Sequence, residues 1–128
     1  MEGEEEGKGA GGVLVELRDE VRAFAAERDW DQFHSPKNLA AALTVEAAEL
    51  LEHFQWLQIG DKAELGDSKL AEVRHEMADV LVYLIRIADK LDVDLNAAVR
   101  EKMALNRAKY PADKVRGSAR KYSDYPRD

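Results

Sequence analysis

From Val13 onward apolar residues recur at intervals of three and four. Val13, Leu14, Leu17, Val21, Phe24 and Ala25 share one face of a helix predicted to run to about Arg28. The run Asp29-Trp30-Asp31-Gln32-Phe33-His34 breaks this period and is unusually rich in aromatic and polar side chains for a connector. Ser35-Pro36 reads as a helix start, with Ser at the N-cap and Pro at the first position, where its missing N–H costs nothing. That second helix is predicted to reach about Leu57, and Gln58 to Gly66 reads as a polar loop. Asp67 or Ser68 can cap a third helix ending near Leu91, with Leu70, Val73, Met77, Val80, Leu81, Leu84, Ile85 and Ala88 on a broad apolar face. Asp94 caps a fourth, from Leu95 to about Lys109, and the chain from about residue 111 reads as irregular. The prediction is an all-α domain over residues 13–128, built as a four-helix bundle.

Acidic residues interrupt these apolar stripes. Glu46 and Glu49 lie three apart on the second helix, and Glu76 and Asp79 lie three apart on the third. At about 100° per residue each pair shares one helix face, and Leu39, Leu43, Leu50 and Leu57 fall within about 60° of Glu46. Four convergent carboxylates at low dielectric demand a cation or protonation. Oxygen-only ligands favour a hard divalent ion, Mg²⁺ before Mn²⁺. Glu49, His53 and Trp56 are placed within about 80° of Glu46, and Glu76, Asp79 and Tyr83 form one edge of the third helix. Glu52 and Glu72 read as solvated, and His53 as a hydrogen-bonded structural residue rather than a ligand. On pattern alone Trp30 and Phe33 read as aromatic plugs at the end of the bundle. Lys102, Asn106 and Lys109 recur on one face of the fourth helix with Tyr110 just beyond, which is either a solvated basic face or a phosphate-binding edge.

Composition narrows the classes. Hydrophobic residues make up 45% and charged residues 35% of 128, ordinary for one helical domain. The formal net charge of -7 disfavours broad attraction to nucleic acid or to an anionic membrane. With no cysteine, disulfides and thiol chemistry are excluded, and a cytoplasmic setting is the default. Met1 to Gly12 is Glu/Gly-rich and predicts a disordered acidic tail.

Three chemistries suit acid pairs on two helices. A di-iron centre wants Glu-x-x-His from two helices, and only Glu72-x-x-His75 has that form. Phosphoryl transfer fits better: a cation held by the acids would neutralise a triphosphate, while Trp30, Phe33, His34, Trp56 and Tyr83 offer faces and hydrogen-bond partners for a base. No glycine-rich phosphate loop occurs. The third reading is a non-catalytic helical module with a structural cation.

Glu46-x-x-Glu49, a gap, then Glu76-x-x-Asp79 resembles the metal motif of the all-α nucleoside triphosphate pyrophosphatases, the MazG-like group. The segments Phe24 to His34, Phe54-Gln-Trp56, Lys102 to Arg107 and Arg116 to Tyr122 look like its dCTP pyrophosphatase branch. The resemblance covers Val13 to about Pro126. It implies Mg²⁺-dependent hydrolysis of dCTP, including 5-modified forms, to dCMP and pyrophosphate, as nucleotide-pool sanitation. It also implies a homotetramer whose neighbouring subunits complete each site. Carried over by position, Glu46, Glu49, Glu76 and Asp79 would hold metal and serve catalysis. Trp30, His34, Trp56 and Tyr83 would line the base and sugar pocket. Lys102, Asn106, Lys109 and Tyr110 would contact phosphates, with Arg120 and Lys121 from the tail. The chain departs from the pattern at Val21, where the family often has His, which leaves broad MazG-type base specificity as the alternative.

Overall fold

The computed structural model describes residues 2–119, with side chains from residue 12. Among the described residues the chain is all-helical, without a strand: α1 (Glu2–Glu27), a 3₁₀ turn (Asp31–Phe33), α2 (Pro36–Glu52), α3 (Lys62–Lys90), α4 (Leu95–Lys109) and α5 (Ala112–Val115). None of these helices is long and apolar enough to cross a membrane. Two compact units divide the chain, the first ending at Val93 and the second beginning at Asp94. The helical period accounts for α2 and α4, for α1 from Val13 and for α3 after Gly66. The segment with irregular sequence after Pro111 holds one short helical turn, α5. Arg120 and Lys121 lie outside the described residues.

Within α1 the backbone breaks at Gly12, where φ is 67°, so the amphipathic stretch starts where the apolar period starts. Its C-terminus is closed by Asp29 in the left-handed region (φ 54°), with the Trp30 N–H donating to Ala25 O and the Asp29 N–H to Ala26 O. This pair of bonds is a Schellman ending, with Asp doing what Gly does more often. Asp92 (φ 54°) ends α3 the same way, with the Val93 N–H donating to Ala88 O. The first turn delivers Asp31 and His34 to α3, where they meet Arg86 and Lys90.

Ser35 caps α2 as its sequence predicts, its Oγ accepting the Asn38 N–H at 3.1 Å. The helix ends at Glu52, five residues earlier than the apolar period suggests. The Phe54 N–H donates to Leu51 O and the Leu57 N–H to Phe54 O, so the chain tightens into three-residue turns. Gly60 (φ 73°) explains the tightening: a Cβ there would stand 2.6 Å from the Phe54 ring, so only glycine lets the loop close over it. Glu64 locks that loop by accepting the N–H groups of Gln58, Ile59 and Gly60. These three donors hold its carboxyl below the usual range. Asp61 caps α3, ahead of the predicted start, but the backbone breaks again at Gly66 (φ 78°), immediately before Asp67.

The first unit is organised by α3, which packs against both α2 and α1. Its buried apolar residues are Ala25 from α1, Leu39 from α2, and Val73, Ile85 and Ala88 from α3. The same apolar face of α3 also carries Met77, Leu81 and Leu84, which remain 58%, 39% and 40% exposed. In the second unit α4 starts where predicted, with Asp94 accepting the Ala97 N–H at 3.1 Å.

Candidate active site

The facing sides of α2 and α3 bring Glu46, Glu49 and Glu76 together. Each offers a carboxylate oxygen within 4.8 Å of the others. Glu46 and Glu76 are half-buried and Glu49 is exposed. One oxygen of Glu46 and one of Glu76 are buried with no hydrogen-bond partner, an expensive state for an acceptor. Contact with Glu76 pushes the Glu46 carboxyl above its ordinary value, and contact with Glu46 does the same to Glu49. Asp79 is not among the three converging carboxylates, yet its charge also acts on Glu46. The orphaned oxygens and the like-charge crowding both fit a hard divalent cation, which satisfies lone pairs and charge at once.

The aromatic residues behave differently from plugs. Trp30 is 45%, Phe33 61% and Trp56 88% exposed, so the reading of Trp30 and Phe33 as buried bundle ends is corrected. The Schellman turn projects Trp30 beyond α1, where its ring packs edge-to-face with Phe24 (centroids 5.6 Å, 71°). Trp56 falls after the end of α2, so the helical angle used to place it beside Glu46 does not apply. Tyr83 stays on the α3 edge, half-buried, one turn past Asp79. His53 is the C-cap of α2, its Nδ1 4.0 Å from Glu72, and lies outside the three-acid group.

His34 sits in a braced loop. Asn38 donates to Phe33 O at 3.0 Å, and Gln32 donates to both Asp29 oxygens, main-chain and carboxylate, at 3.0 Å. The His34 Nδ1 accepts from Arg86 Nε at 3.2 Å. Arg86 is 4% exposed, and sequence reasoning passed it over inside an apolar run. Its Nη1 donates to Asp89 at 3.0 Å and its Nη2 to Asp31. Asp89 is also bound by Arg22 Nε at 3.0 Å, and Asp31 by Lys90 at 2.6 Å. Asp89 is held below the usual carboxylate range chiefly by Arg22, and Asp31 chiefly by Lys90. A signal for Arg86 did exist. Asp79, Tyr83, Arg86 and Lys90 follow one another at four, three and four, so the arginine continues the acid-bearing edge.

In the second unit Lys102, Asn106 and Lys109 recur along α4. Asn106 and Tyr110 are half-buried, and the Lys109 ammonium lies 5.6 Å from the Tyr110 ring centroid.

Together, the helical fold and the three-carboxylate cluster define an all-α protein with a carboxylate group on a helix pair that could hold a cation. Residues 41–125 match the MazG-like family. Among relatives, dCTP pyrophosphatase 1 of Homo sapiens is 46% identical over 116 residues, covering 89% of this chain and 68% of that protein. The Rattus norvegicus protein of the same name is 44% identical over 117 residues, covering 90% and 69%. A solved pyrophosphatase structure from Archaeoglobus fulgidus is similar with a TM-score of 0.69 at 43% identity, covering 75% of this chain and 90% of that one. The chain belongs to the MazG-like family, in the branch that the dCTP pyrophosphatase 1 relatives represent.

Proposed function

We propose that this chain is a divalent-metal-dependent hydrolase that converts dCTP, including 5-modified forms, to dCMP and pyrophosphate and so cleanses the cytoplasmic nucleotide pool. The observation that carries the reading is the Glu46–Glu49–Glu76 cluster with its two unpartnered buried oxygens, in a chain closely similar to dCTP pyrophosphatases. Glu46, Glu49, Glu76 and Asp79 would hold Mg²⁺, or Mn²⁺ in its place. When bound, the cation would neutralise phosphate charge and lower the pKa of water. Glu49, the exposed member of the cluster, would orient the attacking water. Lys102, Asn106, Lys109 and Tyr110, with Arg120 and Lys121, would meet the phosphates as donors and point charges. Trp30, His34, Trp56 and Tyr83 would take the base and sugar, and the exposure of both tryptophans supports a stacking role. The part-exposed apolar stripe of Met77, Leu81 and Leu84 supports a homotetramer whose subunits share each site.

A second reading, broad MazG-type specificity, is favoured by one residue: Val21 on α1 supplies no polar contact where a His is common in the family. Pyrophosphate release from dCTP, dTTP, dUTP, dATP and dGTP, each with Mg²⁺ and with chelator, separates the readings. Metal-dependent release strongest with dCTP is expected. Equal release from all five would keep the hydrolase and discard the cytosine preference. Wild-type turnover by a folded Glu49→Ala or Glu76→Ala protein would sink the assignment of the acids. Mg²⁺-dependent melting without turnover would leave a binding module with a structural cation.

A further inference from the structure

We propose that Arg86 is a positioning residue that holds His34 in its Nε2–H form, so that the ring presents a fixed hydrogen-bond donor to the nucleobase. This rests on the reading above, in which His34 lines the base pocket. A guanidinium has donors and no acceptor, so the ring nitrogen that meets Arg86 Nε at 3.2 Å must be unprotonated. The proton of a neutral imidazole then resides on Nε2. Arg86 cannot swing away from this contact without breaking others. It is 4% exposed, and its two remaining nitrogens are engaged by Asp89 and Asp31. Those carboxylates are in turn tied to Arg22 and Lys90, which anchors the guanidinium to α1, α3 and the connecting loop together.

The surroundings also keep the ring neutral. Burial comes first, then the charges of Arg86 and Lys90, and together they hold the His34 pKa below its ordinary 6.5 against the opposing pull of Asp31. A doubly protonated ring would have to surrender its Nδ1 contact and set a cation against a buried guanidinium.

The consequence for the base follows from its hydrogen-bonding edge. N3 of cytosine accepts a hydrogen bond, whereas N3 of uracil and thymine carries a proton and donates. A ring fixed as donor at Nε2 matches cytosine and opposes the other two. A ring free to take the Nδ1–H form would offer Nε2 as an acceptor and match uracil or thymine instead. Arg86 therefore supplies selectivity through His34 without touching the nucleotide, in a chain where Val21 brings no polar group to the base.

The test uses the full-length protein with ¹⁵N-labelled histidine, read by NMR at neutral pH, beside kcat and KM for dCTP and dUTP. The wild type is expected to show His34 protonated on Nε2 and bare on Nδ1. Arg86→Met is expected to mix the two tautomers and to lower the dCTP-over-dUTP ratio of kcat/KM by about tenfold or more. Its Mg²⁺-dependent melting shift should stay intact, because the acid cluster is unaltered. A wild-type His34 protonated on Nδ1 overturns the proposal, and this readout stands even if Arg86→Met does not fold. Mixed tautomers with an unchanged dCTP-over-dUTP ratio also overturn it. Wild-type turnover without base preference overturns it while leaving the hydrolase standing. No turnover of any nucleotide overturns the function reading and this one with it.

Discussion

The two ends of one edge of α3 handle charge in opposite ways. At Glu76 and Asp79 the helix meets Glu46 and Glu49, so acids face acids and two buried oxygens lack partners. At Arg86 and Lys90, roughly 15 Å further along the axis, each carboxylate meets cations and each cation meets carboxylates. The second cluster is closed: its charges neutralise one another, and its product is a fixed loop. The first is open: among the described residues no ion pair neutralises its charge. A site that must bind an ion or a phosphate needs the open kind, and a pocket wall that must stay in place needs the closed kind.

The sharpest way to break this contrast is to remove charge from the open end. Glu76→Gln should lower pyrophosphate release from dCTP by more than about 100-fold, since ligand loss exceeds the cost of losing an outer partner. The protein should still fold, which far-UV circular dichroism in chelator will check. At the closed end, Arg86→Leu should cost about 3 kcal/mol in urea unfolding. That is the lower part of the range for breaking a buried pair, because Asp89 keeps Arg22.

Next in size is the metal itself. At a Mg²⁺ concentration of about 100 times its Kd the wild type should gain about 2.7 kcal/mol, and Glu46→Gln should lose most of that gain. Thermal melts with and without chelator measure both.

The smallest effect is the dependence on pH, where the two ends carry opposite signs. Glu46 and Glu49 have folded-state values raised above the ordinary 4.5. In chelator their ionisation therefore removes stability as pH rises through that window. His34 is depressed below 6.5, and Asp31 and Asp89 below 3.8. Their contributions are present above those values and lost as pH falls through the lower folded ones. In chelator Glu46→Gln should thus be more stable than wild type near neutrality. The difference should shrink toward about pH 4, as the wild-type carboxyls take up protons.

Local rules made much of this molecule readable in advance. The period of three and four, Ser35-Pro36 and Asp94 place α1, α2 and α4 to within a residue at several ends, because caps act through neighbours a few positions away. The i, i+3 acids were equally legible, since two side chains a turn apart must share a face. Trp56 was not. Its position depends on Phe54 finding Gly60 across the loop, and that contact ends α2 before the helical angle can reach the tryptophan. Arg86 looked like an interruption of an apolar run, because its partners Asp31 and His34 lie more than fifty residues away in sequence.

The sequence by itself determined where α2 and α4 begin, which faces are apolar and which helices carry paired acids. These properties follow from backbone geometry within a few residues. Tertiary structure decided which acids meet. Glu46, Glu49 and Glu76 converge to within 4.8 Å, whereas Asp79 stands outside that group and acts on Glu46 through its charge. It also decided that a lone arginine in an apolar stretch would become the buried hub of a polar network. Burial of a charge is stable only when its partners are delivered from other segments, and no local pattern records that delivery.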